Sequence, residues 1–225
     1  MKINSIILNQ VIRIFTAALA PPEIDPHRLF EVLKAFEARY AFLQGPRVVA
    51  DYDPQTGITF LQGHYGKSII DKITIFGNGI LSEAKISTDE IDAFLDDAIT
   101  WARGEVGLPP LSAANERSRS YLSQVELESD IDLGAAFAWL TDFGKRLSDQ
   151  LKDYGQNTRN YEVSGINLHC DISDLEIPKP GVSFRFDRRE NKSYSAKTYF
   201  AAAPLRTLDH YRFIEEFEEL LAAQS

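Results

Sequence analysis

One cysteine, one methionine and two tryptophans in 225 residues remove several classes of protein at once. The lone thiol, Cys170, cannot build a disulfide framework and excludes zinc sites that need two or more cysteines. Positive charge is also scarce. Lys and Arg number 24 against 33 Asp and Glu, a net charge of −9 with a pI near 5.0. That balance disfavours non-specific binding to nucleic acid or an anionic membrane through the whole surface. Long apolar runs are missing as well: Asn4, Asn9, Gln10 and Arg13 interrupt the first fourteen residues. A leader needs roughly 7 to 15 uninterrupted apolar residues, and a membrane helix about 20. The pattern therefore predicts a cytoplasmic chain without membrane association. What is present is ordinary for a folded domain, with 44% hydrophobic and 25% charged residues. A chain of this size buries about 70% of the surface it exposes when unfolded, so no structural metal is required.

Catalytic motifs are equally absent. There is no Gly-x-Ser-x-Gly elbow and no His-Glu-x-x-His helix, and His27, His64, His169 and His210 are too widely spaced to form a local metal pair. Leu61 to Ser68 ends like a phosphate-binding loop, but Leu61 stands where its first glycine belongs. Ile69 to Phe76 reads as a strand rather than the helix such a loop requires. No cofactor and no metal is expected.

Periodicity supplies the architecture. Residues 6 to 14 alternate as a strand, with Ile6, Leu8, Ile12 and Ile14 on one face and Asn9 and Arg13 on the other. Asp25-Pro26 is a helix start, and Leu29, Leu33, Phe36 and Tyr40 recur at helical spacing. Strands are predicted at 47–52, 57–65, 70–76 and 80–84. Ser87 and Glu90 form a capping box for a helix carrying Ile91, Phe94, Leu95, Ala98, Ile99 and Trp101. The order then repeats: a strand at 121–133, a helix at 135–151 burying Phe137, Leu140, Phe143 and Leu147, strands at 163–172, 182–186 and 194–201, and a helix capped by Thr207. The expected fold class is α+β, with two similar halves, 1–110 and 111–225. Each reads strand, helix, three or four antiparallel strands, helix. Joined edge to edge, the halves make one continuous saddle-like sheet with helices on one face, which covers the open edge each would otherwise expose. This order of elements resembles the duplicated, saddle-shaped fold of TATA-binding proteins, a likeness of topology that no sequence motif accompanies.

Two rows of charge stand out. Glu126, Glu128, Asp130 and Asp132 occupy alternate positions and predict a carboxylate face on one strand. The second row is basic: residues 185 to 197 hold five positive and two negative side chains. Arg185, Arg188, Arg189, Lys192 and Lys197, with Tyr199, are predicted to face outward, beside Asn167, His169 and Asp171 on the neighbouring strand. Such a hairpin offers forked donors to an acidic partner, a phosphate or a single strand; equally, it can pair across strands with the carboxylate row. Cys170 alternates with Ile166 and Leu168 and is expected in the core, while His27 and His210 are expected to be exposed. Dense carboxylate on the helices at 89–97 and 215–219 suits association with a protein partner. The leading expectation is a non-catalytic interaction module, such as an antitoxin, an immunity protein or a subunit of a host-defence assembly. The alternatives are a nucleic-acid binder using the basic hairpin and a small enzyme with His169 as general base.

Overall fold

The computed structural model describes residues 1–16, 19, 25–47, 51, 56–106, 115–155, 161–171 and 183–223. Along the chain these form β1 (Lys2–Phe15), α1 (Pro26–Arg39), β2 (Ile58–Tyr65), β3 (Ser68–Phe76), β4 (Gly79–Ala84) and α2 (Thr88–Val106). There follow β5 (Glu116–Glu128), α3 (Leu133–Ala136), α4 (Ala138–Lys152), β6 (Gly165–His169), β7 (Ser183–Arg188), β8 (Thr198–Ala203) and α5 (Thr207–Ala222). The fold is α+β, with one eight-stranded antiparallel sheet in the order β2-β3-β4-β1-β5-β8-β7-β6. Two compact units divide the chain: a first of Ile6–Ser123 with Pro204–Thr207, and a second of Met1–Ser5, Gln124–Ala203 and Leu208–Ser225.

In the first unit, local sequence accounts for most element ends. Asp25 accepts a hydrogen bond from the Arg28 amide at 3.3 Å, and Pro26 opens α1. The capping box is formed: the Glu90 amide donates to Ser87 Oγ at 3.2 Å, and the Ser87 amide to Glu90 Oε2 at 3.4 Å. Gly66 supplies the positive φ of 60° in the two-residue turn between β2 and β3. Of the strand predicted at 47–52, only Arg47 and Asp51 fall among the described residues, and both are outside any strand. Residues 40–44 cover the outer edge of β2, with the Leu61 amide donating to Gln44 O at 2.8 Å and the His64 amide to Tyr40 O at 2.6 Å. Phe36 of α1 is the hub of the core, its ring 5.0 to 5.8 Å from those of Tyr40, Phe60, Phe42 and Trp101.

The alternation of β1 is present, but the polar face is the buried one. Asn9, Val11, Arg13 and Phe15 point into the unit, while Ile6, Leu8, Ile12 and Ile14 are half-buried. A charge on the buried face demands counter-charge, and α2 provides it. Arg13 Nε and Nη2 donate to Asp92 Oδ1 at 3.1 and 2.6 Å, and Nη1 donates to Asp96. Tyr121 donates its hydroxyl to Asp92 Oδ2 at 2.9 Å, and Arg119 lies 3.2 Å from the same oxygen. Burial opposes the charge on Arg13, but the hydrogen bonds to Asp96 and Asp92 outweigh it, so its pKa is raised. Nearby, the Thr88 and Thr207 hydroxyls each accept the other's backbone amide at 2.9 Å, and Asn9 Nδ2 donates to Thr207 Oγ1 at 2.9 Å. These reciprocal bonds satisfy two otherwise orphaned amides at helix starts.

The second unit departs further from expectation. β5 ends at Glu128, so Asp130 and Asp132 leave the predicted carboxylate row, and Asp132 instead caps α3 by accepting the Ala135 amide at 3.0 Å. The helix expected at 135–151 is broken at Phe137 into α3 and α4. α5 packs on β7 and β8 through Phe217, whose ring lies 5.8 Å from Phe184 and 5.3 Å from Phe186; Phe186 stacks on Tyr199 at 4.7 Å. His210, expected at the surface, is fully buried on α5. Among the described residues neither ring nitrogen meets a hydrogen-bond partner, and burial lowers the imidazole pKa to about 4.

Two outcomes follow from these buried polar groups. Arg13→Ala removes the buried cation from Asp92, which keeps Arg119 and the Tyr121 hydroxyl, and should cost about 1.5 to 3 kcal/mol, the range for a hydrogen bond to a charged group; urea denaturation of the variant should show that loss, with the Arg13→Ala/Asp92→Ala pair less than additive. For His210, the unfolded imidazole binds its proton first as the pH falls below about 6.5. Stability is therefore full above that value and declines towards pH 4 by about 3 kcal/mol. His210→Leu should flatten that decline in denaturation curves taken across the same range.

Candidate functional site

The residues singled out from the sequence all fall in the second unit, around β6, β7 and β8. Pairing sets Asn167 opposite Arg185 and His169 opposite Ser183 on β6 and β7, then Arg185 opposite Ala202 and Arg188 opposite Tyr199 on β7 and β8. Alternation along β7 buries Phe184 and Phe186 and turns Arg185 to solvent as predicted. Asn167, His169 and Asp171 are exposed.

The cations, however, are already engaged. Arg185 donates through Nε and Nη2 to Asp187 Oδ2 at 3.1 and 2.7 Å. Arg189 Nε lies 3.0 Å from Glu126 Oε2, and Lys197 Nζ donates to Asp130 Oδ1 at 2.8 Å. That last hydrogen bond lowers the Asp130 pKa and raises that of Lys197. Of the basic row, Arg189 and Lys197 thus pair with Glu126 and Asp130, two of the carboxylates singled out from the sequence, and Arg185 pairs with Asp187 of its own strand. Arg188 stacks on Tyr194 with 4.3 Å to the ring centroid and donates to the Tyr194 carbonyl at 3.0 Å. Lys192 is exposed in the turn.

Two predictions of facing are corrected. Tyr199 is buried, not outward: Lys197 has a left-handed backbone with φ 47° and precedes β8, which breaks the alternation carried forward from it. The Tyr199 hydroxyl donates to Ile131 O at 2.9 Å, and burial raises its pKa. Cys170 is exposed rather than in the core, just beyond the end of β6, and Leu168 within the strand is exposed as well, so β6 does not bury the face expected of it.

A second surface was not anticipated. Helical spacing places Phe143 and Leu147 in the core, yet with Trp139 they form an exposed apolar row on α4, at 71% exposure for Trp139 and 63% for Phe143. Positions i, i+4 and i+8 place the three on one stripe of the helix. The opposite reason for this orientation lies in the small residues of α4. A Cβ at Gly144 would stand 2.5 Å from Tyr161 O. Ser148 Oγ accepts the Tyr161 amide at 3.0 Å and donates to Gly144 O at 2.8 Å, while Thr141 Oγ1 donates to Gly134 O at 3.0 Å. The helix is held by the face that permits closest approach, which leaves its bulky face outward. The signal was in the sequence as Thr141, Gly144 and Ser148 spaced three and four apart, but rank by hydrophobicity selects the other stripe.

Among the described residues no group of three or more His, Cys, Asp or Glu side chains is placed to hold a metal ion, and no helix is long and apolar enough to cross a membrane. No family model matches the chain, and no curated protein matches its sequence.

The seat of α4 can be tested directly. Gly144→Ala should destabilise the protein by about 1 to 3 kcal/mol, the range for forcing an extra carbon into a tight contact, and Ser148→Ala by about 1 kcal/mol for its lost hydrogen bond. Chemical denaturation of both variants checks the pair, with Gly144→Ala expected to show the larger shift in midpoint.

Proposed function

We propose that this chain is a non-catalytic, cytoplasmic interaction module that binds a protein partner through the outward face of α4. The observation that carries the reading is the row Trp139, Phe143 and Leu147, apolar and exposed on a helix whose other face is seated. Exposed apolar patches rimmed by polar groups mark contact sites, and Trp is enriched among residues that dominate binding energy. The rim here is charged, with Asp142 paired to Lys145 at 3.1 Å and Asp149 to Lys152 at 2.6 Å. An antitoxin, an immunity protein or a subunit of a host-defence assembly are roles of this kind.

The nucleic-acid reading draws less support. Arg185, Arg189 and Lys197 are each paired with a carboxylate, and Tyr199 is not available to stack on a base. A site around His169 has support only from exposure of Asn167, His169 and Asp171 on and just beyond one short strand. We also propose that residues 1–110 and 111–225 are two similar halves with the topology of TATA-binding proteins. The support is the element order, β-α-β-β-β-α followed by β-α-α-β-β-β-α.

Tagged purification from the native host tests the reading. A polypeptide should co-elute at fixed stoichiometry with the unaltered chain and be lost with Trp139→Glu, a surface change expected to leave the circular dichroism spectrum intact. Equal capture by both proteins would remove α4 as the binding face. A nucleic-acid absorbance that disappears at high salt would favour the hairpin instead.

A further inference from the structure

The second unit carries another exposed apolar row besides the one on α4. On α5, Phe213 and Leu220 are exposed, 43% and 63%, seven residues apart on one stripe. The Phe213 ring lies 5.4 Å from Phe184, so the row continues into the aromatic cluster of β7 and α5. Two carboxylates of the same helix are exposed, Asp209, which lies 3.7 Å from Arg212, and Glu216. The α4 row, in turn, is bordered by Arg146. Among the described residues neither Arg146 nor Glu216 has an ion-pair partner.

We propose that the partner seated on each of these rows is a second copy of this chain, with α4 of one protomer lying along α5 of the other, and reciprocally. The inference rests on the interaction-module reading and names its partner. Three features favour a copy of the chain over a different protein. The rows match in length: Trp139 to Leu147 spans about 12 Å and Phe213 to Leu220 about 11 Å at the α-helical rise. Their flanking charges are opposite, Arg146 on one and Glu216 on the other, and each lacks an ion-pair partner among the described residues. Because one chain bears both surfaces, a two-fold axis satisfies both contacts at once and closes the assembly. The area is adequate as well. Trp139, Phe143 and Phe213 together expose on the order of 350 Å² of side chain per protomer, from the usual areas of aromatic residues. Leu147, Leu220 and the charged borders bring that towards the roughly 800 Å² per partner of a stable interface. The α4 of the same protomer is not free to turn its row inward, since Gly144 and Ser148 hold its other face against Tyr161.

Sedimentation equilibrium of the full chain at micromolar concentration decides the matter. The unaltered chain should sediment as a dimer, and Phe143→Glu and Leu220→Glu should each sediment as monomers with unchanged circular dichroism spectra. Arg146→Glu and Glu216→Arg should each weaken the dimer by about tenfold, the loss of one charged contact, and the two together should restore it. A monomeric unaltered chain overturns the proposal, as does a dimer that ignores all four substitutions. The two readings separate cleanly. A monomer that co-purifies with a host polypeptide lost in Trp139→Glu retains the interaction module and overturns self-docking, whereas a monomer with no such companion overturns both.

Discussion

Arg13 sits on the buried face of β1, with only 2% of its surface exposed, and a guanidinium in that position must be met by carboxylates from whatever packs over the strand. Asp92 and Asp96, on α2, meet it from one side, and Arg119 and Tyr121 of β5 close the same group around Asp92. Desolvation of a charge is tolerable only where hydrogen bonds replace its water. The strand and the helix are thereby locked in one register, since a shift of one residue along β1 would turn Arg13 to the other face and bring Ile12 or Ile14 against the two carboxylates. The remaining contacts of the first unit are compatible with this lock: the Phe36 aromatic hub and the reciprocal Thr88 and Thr207 bonds leave few buried groups unmatched.

The second unit solves the same problem of covering its strands with less apolar burial. Its aromatic core, Phe184, Phe186, Tyr199 and Phe217, lies between α5 and two strands, whereas Trp139, Phe143, Leu168, Phe213 and Leu220 stay in contact with solvent. Exposed aromatic surface of that extent lowers stability unless another surface covers it, which is why binding is the natural reading of α4 and α5. Electrostatics points the same way. Three cations of the β7 and β8 hairpin, Arg185, Arg189 and Lys197, are paired with Asp187, Glu126 and Asp130, which reduces the field that could attract a polyanion, while Arg188 lies on Tyr194 and Lys192 is exposed.

Much of the local structure could be read from neighbouring residues. The Asp25-Pro26 start, the Ser87 and Glu90 box, the hairpin turn at Gly66, and the strands β2, β3 and β4 emerged near their predicted limits. Each depends on contacts within a few positions along the chain, which is where propensity and capping act. Of the candidate site, the outward direction of Arg185 was readable from alternation along β7, whereas on β6 Leu168 is exposed together with Asn167 and His169, so alternation separates no faces there. The direction of Tyr199 was not readable, because the left-handed Lys197 interrupts the phase before β8 begins.

By itself, then, the sequence determined the α+β class, the strands β2, β3 and β4, and the starts of α1 and α2. Only the tertiary structure decided which face of β1 and of α4 is inside, and that His210 of α5 is buried. Periodicity divides a strand or helix into faces but is blind to what lies opposite. Arg13 is buried because Asp92 stands 79 positions away in the chain and directly over it in space. His210 is buried because α5 turns it inward, where among the described residues no hydrogen-bond partner meets either ring nitrogen. Trp139, Phe143 and Leu147 are outside because Gly144 and Ser148 allow the closest approach to Tyr161, and steric fit at a contact outweighs the hydrophobicity of the residues left facing water.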